Sequence, residues 1–173
     1  GLPNLMAHVE NILKYTKNLI VCLNKYDSDT QEEIEVVEEY CHNMKIEFAI
    51  CDSYLNGGEG SITLANKVVD ICNKENDFKL LYEDNLSIKE KIEKVATEIY
   101  HAGKVEYTKE VEEKLKRIER YNALPVCIAK TQYSISDDPK KLGYPKDYEV
   151  TVKDIKLYRG ASFITVLLGD IMT

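Results

Sequence analysis

Leu19-Ile20-Val21-Cys22-Leu23 is an uncharged apolar run that breaks at once into the polar Asn24-Lys25-Tyr26-Asp27-Ser28-Asp29. Such a run, with no polar alternation, is expected of a buried strand in a parallel sheet. Ile46–Cys51 repeats the pattern as a second strand and gives way to Asp52-Ser53-Tyr54-Leu55-Asn56-Gly57-Gly58. Helical periodicity surrounds both runs. Before the first, Leu5, Met6, Val9, Ile12 and Leu13 share one helical face, with Pro3 suited to a first turn. Between the strands, Ser28 with Gln31, or Asp29 with Glu32, suits a capping box, and Ile34, Val37, Cys41 and Met44 point inward. After the second, Ile62, Ala65, Val68, Val69 and Cys72 line one face. The order αβαβα predicts parallel strands joined by crossover helices.

Further along, Asn73–Asp84 is rich in charge and Asn and reads as a domain boundary. Residues 1–78 are expected to form one α/β region, and 79–173 a smaller α+β domain. In the latter, Ser87 with Glu90 predicts a capping box, and Ile88, Ile92, Val95, Ala96 and Ile99 an amphipathic helix with Gly103 as its C-cap. Val105–Tyr107 reads as a short strand. Thr108 caps a helix that buries Val111, Leu115 and Ile118, and Pro125–Ala129 reads as another strand. Thr131–Asp147 is a long polar loop, a type often functional. Tyr148–Tyr158 and Ser162–Leu168 predict a hairpin turning at Arg159-Gly160. Its first strand changes parity between Val152 and Ile155, which predicts a bulge near Lys153–Asp154.

Composition narrows the function. The 173 residues are 44% hydrophobic and 31% charged, a globular balance. A net charge of −7 argues against a phosphate-backbone footprint, and so against a nucleic-acid partner. No apolar run approaches membrane-spanning length. The five cysteines show no C-x-x-C or Cys/His metal spacing and read as free, mostly buried thiols of a reducing cytoplasm. No phosphate-binding P-loop, dinucleotide fingerprint or H-E-x-x-H is present. The chain opens inside a helix signal and stops directly after an apolar strand, as a segment cut from a longer polypeptide would.

Ligands of open parallel sheets bind beyond the carboxyl ends of the strands. Tyr26 and Tyr54 stand there, one crossover unit apart. They could sandwich a flat heterocycle, each contact being worth about 1–3 kcal/mol by analogy with base stacking. Ordinary surface tyrosines remain the alternative among a total of twelve. Asn24-Lys25-x-Asp27 resembles the guanine-reading motif of GTPases, which keeps a GTP-binding module open; a non-catalytic interaction domain is the other alternative. Gly57, Gly58 and Gly60 form a turn into a helix that suits either an anion or close strand-to-helix packing. Lys130, Thr131 and Gln132 follow a strand directly and suit phosphate or carboxylate binding, or a solvated loop start. No metal site and no catalytic Ser/His/Asp or Cys/His set can be assembled.

Several longer strings are more specific. Gly1-Leu-Pro-Asn-Leu-Met-Ala-His-Val-Glu-Asn-Ile12, Ser53-Tyr-Leu-Asn-Gly-Gly-Glu-Gly60, Leu124-Pro-Val-Cys-Ile-Ala-Lys-Thr-Gln-Tyr-Ser134, Ser136-Asp-Asp-Pro139 and Gly169-Asp-Ile-Met-Thr173 closely resemble the formate–tetrahydrofolate ligase family in order and spacing. The resemblance covers nearly the whole chain and corresponds to the C-terminal third of the family's polypeptide. It implies a P-loop-like fold and an ATP-dependent ligase joining formate to tetrahydrofolate through formyl phosphate, with Mg accompanying ATP. It also implies a homo-oligomer as the full enzyme, with small molecules as its partners. In the family an aromatic pair clamps the pterin, often Phe and Trp; Tyr26 and Tyr54 match those positions, and Ile50 an apolar position beside them. The phosphate-binding loop belongs to the family's N-terminal part, so this chain alone is expected to hold no catalytic residue and to lack ligase activity.

Overall fold

The computed structural model describes residues 1–169; the last four residues of the closing string, 170–173, lie outside them. Among the described residues the α-helices and strands follow in the order α1 (Leu2–Leu13), β1 (Ile20–Asn24), α2 (Gln31–Asn43), β2 (Glu47–Cys51), α3 (Ser53–Asn56), α4 (Ile62–Cys72), α5 (Ile88–Glu98), β3 (Ala102–Tyr107), α6 (Lys109–Ile118), β4 (Val126–Ala129), β5 (Tyr148–Tyr158) and β6 (Phe163–Leu168). The fold is mixed α/β, as expected. Two compact units form. One is Ile12–Lys79; the other joins Pro3–Asn11 of α1 to the chain from Leu80 onward.

In the earlier unit, β1 and β2 pair in parallel with Ile20 opposite Glu47 and Asn24 opposite Cys51. Helix α2 begins at Thr30, not at Ser28 or Asp29. The Thr30 hydroxyl accepts from Glu33 N, and the Glu33 carboxylate accepts from Thr30 N. Asp29 is engaged elsewhere, because its carboxylate accepts from Tyr26 N at 2.8 Å and closes the turn. The segment expected as a free boundary is partly tied down. Lys79 N donates to Tyr15 O, Lys17 N to Asp77 Oδ2 and Asn18 Nδ2 to Glu75 O.

Burial in this unit is thinner than the sequence suggests. Ile34, Cys41 and Ala49 are buried, but Met44 is exposed and no residue of α4 is buried. The face expected inward, with Ile62, Val68 and Val69, is exposed, while Leu64, Lys67 and Ile71 are partly covered. Helix α4 is apolar on more than one side, and a two-stranded sheet covers only one stripe of it. The cysteines are likewise corrected: all five are free, but only Cys41 is buried, and Cys22, Cys72 and Cys127 are exposed.

The later unit has a four-stranded sheet in the order β3-β5-β6-β4. β3 runs parallel to β5, β4 parallel to β6, and β5 antiparallel to β6. The hairpin is present, and its register shifts between Val152 and Asp154, at the expected bulge. Ser87 and Glu90 form the expected capping box, and Thr108 caps α6. Alternate residues Val150, Val152, Ile164, Val166 and Leu168 meet Ile88, Ile92 and Ala96 of α5 and Val111 of α6 in one buried cluster. Gly103 is not the C-cap of α5. The left-handed backbone falls at His101 (φ 58°), while Gly103 lies in β3, where an added Cβ would stand 3.0 Å from the Asp147 backbone.

Candidate functional site

The carboxyl edge of the β1–β2 pair carries the two tyrosine loops. Parallel pairing places Asn24 beside Cys51 at the last rungs of the strands, and Lys25 N donates to Cys51 O at 2.8 Å. The loops therefore leave the sheet from one shared hydrogen-bonded base. Tyr26 lies in the first loop and is 60% exposed; Tyr54 lies in α3 and is 89% exposed. Rings so bare of protein contact leave their faces free to meet a ligand. Asn24 Nδ2 donates to Tyr26 Oη at 3.2 Å, so that side chain is turned to the tyrosine. Ile50 sits one residue before the end of β2, opposite Leu23, and is half-buried.

Cys51 closes β2 at this edge, and Cys22 lies two residues back in β1. Cys51 Sγ is 3.5 Å from Ser53 Oγ and 3.4 Å from Ser61 Oγ. Hydrogen bonds from Ser61 and then Ser53 hold the Cys51 thiol below its ordinary pKa, whereas partial desolvation of the sulfur, and then the neighbouring Cys51, push the otherwise exposed Cys22 up.

The glycine turn is narrow. Gly57 has φ +58°, and Gly57–Ser61 winds as a short 3-10 turn into α4. A Cβ on Gly60 would meet Asp52 Oδ1 at 2.2 Å, and Asp52 N donates to Gly60 O at 3.2 Å. Asn56 Nδ2 donates to the other Asp52 oxygen at 2.9 Å. Close approach to Asp52 explains Gly60, and it sets a carboxylate beside a turn expected to suit an anion.

Lys130, Thr131 and Gln132 belong to the later unit. They line a cavity of about 280 Å³ together with Asn4, His8 and Asn11 of α1 and with Tyr100. Lys130 is half-buried. Its ammonium donates to Thr131 O at 3.2 Å and to Ser134 O, and lies 5.0 Å from the centre of the Tyr100 ring. Burial lowers the Lys130 pKa, and the Asp137 carboxylate partly opposes that. The loop beyond is well bonded: Ser136, fully buried, accepts from Asp138 N and donates to Asp138 O, and Tyr148 Oη donates to Tyr100 O. The sequence reading assigns no role to the α1 side of this cavity, because Asn4, His8 and Asn11 stand out only by falling on one face of α1.

One buried charge escapes the sequence altogether. Lys91 is fully buried, and its Nζ donates to the carbonyls of Asp84 (2.9 Å), Asn122 (2.6 Å) and Leu124 (3.2 Å). With three donors and three acceptors it is saturated, which makes it a staple between chain segments and leaves nothing for chemistry. Among the described residues no three His, Cys, Asp or Glu side chains converge as metal ligands, and no helix is long and apolar enough to cross a membrane.

The carboxyl edge of a parallel α/β pair, where the ligands of open α/β sheets bind, thus carries two exposed aromatic rings. The sequence profile of the formate–tetrahydrofolate ligase family matches residues 1–173, and the formate–tetrahydrofolate ligase of Petrotoga mobilis is 48% identical over 174 aligned positions, covering 99% of this chain. The chain belongs to the formate–tetrahydrofolate ligase family. It spans 31% of the length of that relative.

Proposed function

We propose that this chain supplies the pterin-binding side of an ATP-dependent ligase that makes 10-formyltetrahydrofolate. ATP phosphorylates formate, and the N10 amine of tetrahydrofolate attacks the resulting mixed anhydride. The part of this chain is to bind and orient the pterin so that the amine meets the anhydride in line. The observation that carries the reading is the pair of exposed tyrosines, Tyr26 and Tyr54, on loops that leave adjacent parallel strands from one hydrogen-bonded base. Ile50 adds an apolar wall beside them. Lys130, Thr131 and Gln132 are read as the phosphate side, on the chemistry of their half-buried ammonium and polar groups, and Gly57, Gly58 and Gly60 as a turn that shapes the pterin loop. The β1–α2–β2–α4 order supports reading residues 1–78 as the end of a P-loop-like domain, with 79–173 as a smaller domain. Mg is read as entering with ATP; we assign no residue of this chain to it.

Kinetics of the full enzyme test the clamp. Tyr26→Ala and Tyr54→Ala should each raise the folate KM about tenfold or more, from roughly 1–3 kcal/mol of lost stacking. The KM values for ATP and formate should change much less, and Tyr→Phe should largely preserve folate KM. Two Ala variants with unchanged folate KM would return both tyrosines to ordinary surface. The isolated 173-residue chain should show no ligase activity above background.

A further inference from the structure

Cys22 and Cys51, far apart in the chain, meet across the β1–β2 pair. Cys22 stands opposite Ala49, and Cys51 opposite Asn24, two rungs further on. Side chains alternate along a strand, so the two cysteines share one face of the sheet. The Cys22 thiol donates to the Cys51 sulfur. Cys22 is exposed and Cys51 partly so. Paired strands lie about 4.8 Å apart and rise about 3.3 Å per residue, which sets the two Cα atoms about 8 Å apart. A disulfide spans at most about 7 Å between Cα atoms, so these sulfurs do not bond directly unless the strands move. A cation seated between two thiolates, about 2.3 Å from each, replaces one short bond by two longer ones and closes that gap. Thiolates select soft metals such as copper(I) and zinc. Structural zinc takes four ligands. Among the described residues no third His, Cys, Asp or Glu joins the pair, and two-coordinate copper(I) needs none.

We propose that Cys22 and Cys51 form a dithiol site for a soft cation, copper(I), at the base of the two tyrosine loops. Binding exchanges two thiol protons for one metal ion. Both S–H bonds break, two S–Cu bonds form, and the complex carries one negative charge, with no change of oxidation state. Cys51, whose hydrogen bonds favour the thiolate, makes the first bond. Cys22, the donor of the pair, gives up its proton as the second forms. The ion ties β1 to β2 where the loops of Tyr26 and Tyr54 begin. The inference is independent of the pterin reading.

Anaerobic titration of the full reduced enzyme with chelator-buffered copper(I), followed by alkylation with iodoacetamide and peptide mass spectrometry, tests it. Cys72 in α4 and Cys127 in β4 are exposed thiols outside the pair and serve as controls. As free copper(I) is raised, Cys22 and Cys51 should become protected along one shared curve, at lower copper than Cys72 or Cys127. Cys22→Ser should shift the protection of Cys51 to higher copper, and Cys51→Ser that of Cys22. Loss of a ligand should cost at least the roughly 10–100-fold in affinity that loss of an outer partner costs. Cys72→Ser and Cys127→Ser should leave the shared curve in place. Should either variant of the pair fail to fold, the protection curves of the unsubstituted protein still decide. Separate curves for Cys22 and Cys51, or protection no tighter than that of Cys72 and Cys127, overturn the proposal.

Discussion

Both units pack helices on a sheet, yet they bury their apolar faces differently. In the later unit α5 and α6 pack on a four-stranded sheet, and twelve residues from Ile88 to Leu168 form one buried cluster. Between Ile12 and Lys79, three residues are buried and whole apolar faces, Val68 and Val69 among them, stay exposed. The difference lies in sheet width. Four strands present enough surface to cover an amphipathic helix, whereas two cover only a stripe. Stability should therefore concentrate in the later unit, and the earlier one, thin in core, carries the exposed rings read as the ligand site.

The largest test of that contrast is truncation of the core. Ile92→Ala and Ile164→Ala remove side chains with no exposed surface and should each cost about 2–5 kcal/mol in denaturant unfolding. Val69→Ala in α4 should stay within about 0.5 kcal/mol, as a surface change does. Comparable losses in the two units would break the comparison.

Next in size is the buried ammonium. Lys91→Met keeps the aliphatic stem and leaves the carbonyls of Asp84, Asn122 and Leu124 unpartnered, with an expected cost of about 1–3 kcal/mol. Burial lowers the Lys91 pKa in the folded protein, and the nearby Asp84 carboxylate opposes the shift.

Much of the fold is legible in the sequence, because strong patterns carry it. The Ser87–Glu90 box, the β5–β6 hairpin and its bulge all follow from local spacing. The errors arise where two local solutions compete or where coverage depends on distant chain. Thr30-x-x-Glu33 displaces the overlapping Ser28 and Asp29 caps because Asp29 closes the Tyr26 turn. Helix α4 is apolar on several sides, so periodicity leaves open which stripe meets the sheet. Lys91 is unreadable because its acceptors lie 31 and 33 positions away as well as 7. Of the candidate site, the placement of the two tyrosines at one strand edge is legible from parallel topology, whereas the cavity that α1 shares with the Lys130 loop depends on long-range packing.

A smaller effect follows from the tyrosines of the later unit. Burial raises the pKa of Tyr148, aided by the Asp137 carboxylate and Tyr100, and burial with Glu93 raises that of Tyr107. Their folded values exceed the unfolded value of about 10. The stability they contribute is fully present below about pH 10 and is lost as pH rises from there toward the folded pKa values. Tyr148→Phe should flatten the alkaline part of the stability profile while costing about 1 kcal/mol near neutrality, where it removes the bond to Tyr100 O. An unchanged alkaline slope would place the titration elsewhere. Smallest is the pair of capping boxes: Ser87→Ala and Thr30→Ala should each cost about 1 kcal/mol, one measured in each unit.

The pterin reading of the earlier unit is tested most directly by a structure of the full enzyme with a bound pteridine. The account predicts the ring sandwiched between Tyr26 and Tyr54, with about 7 Å between the two tyrosine planes and Ile50 at its edge. A pteridine bound elsewhere, with both tyrosines still in solvent, would contradict it.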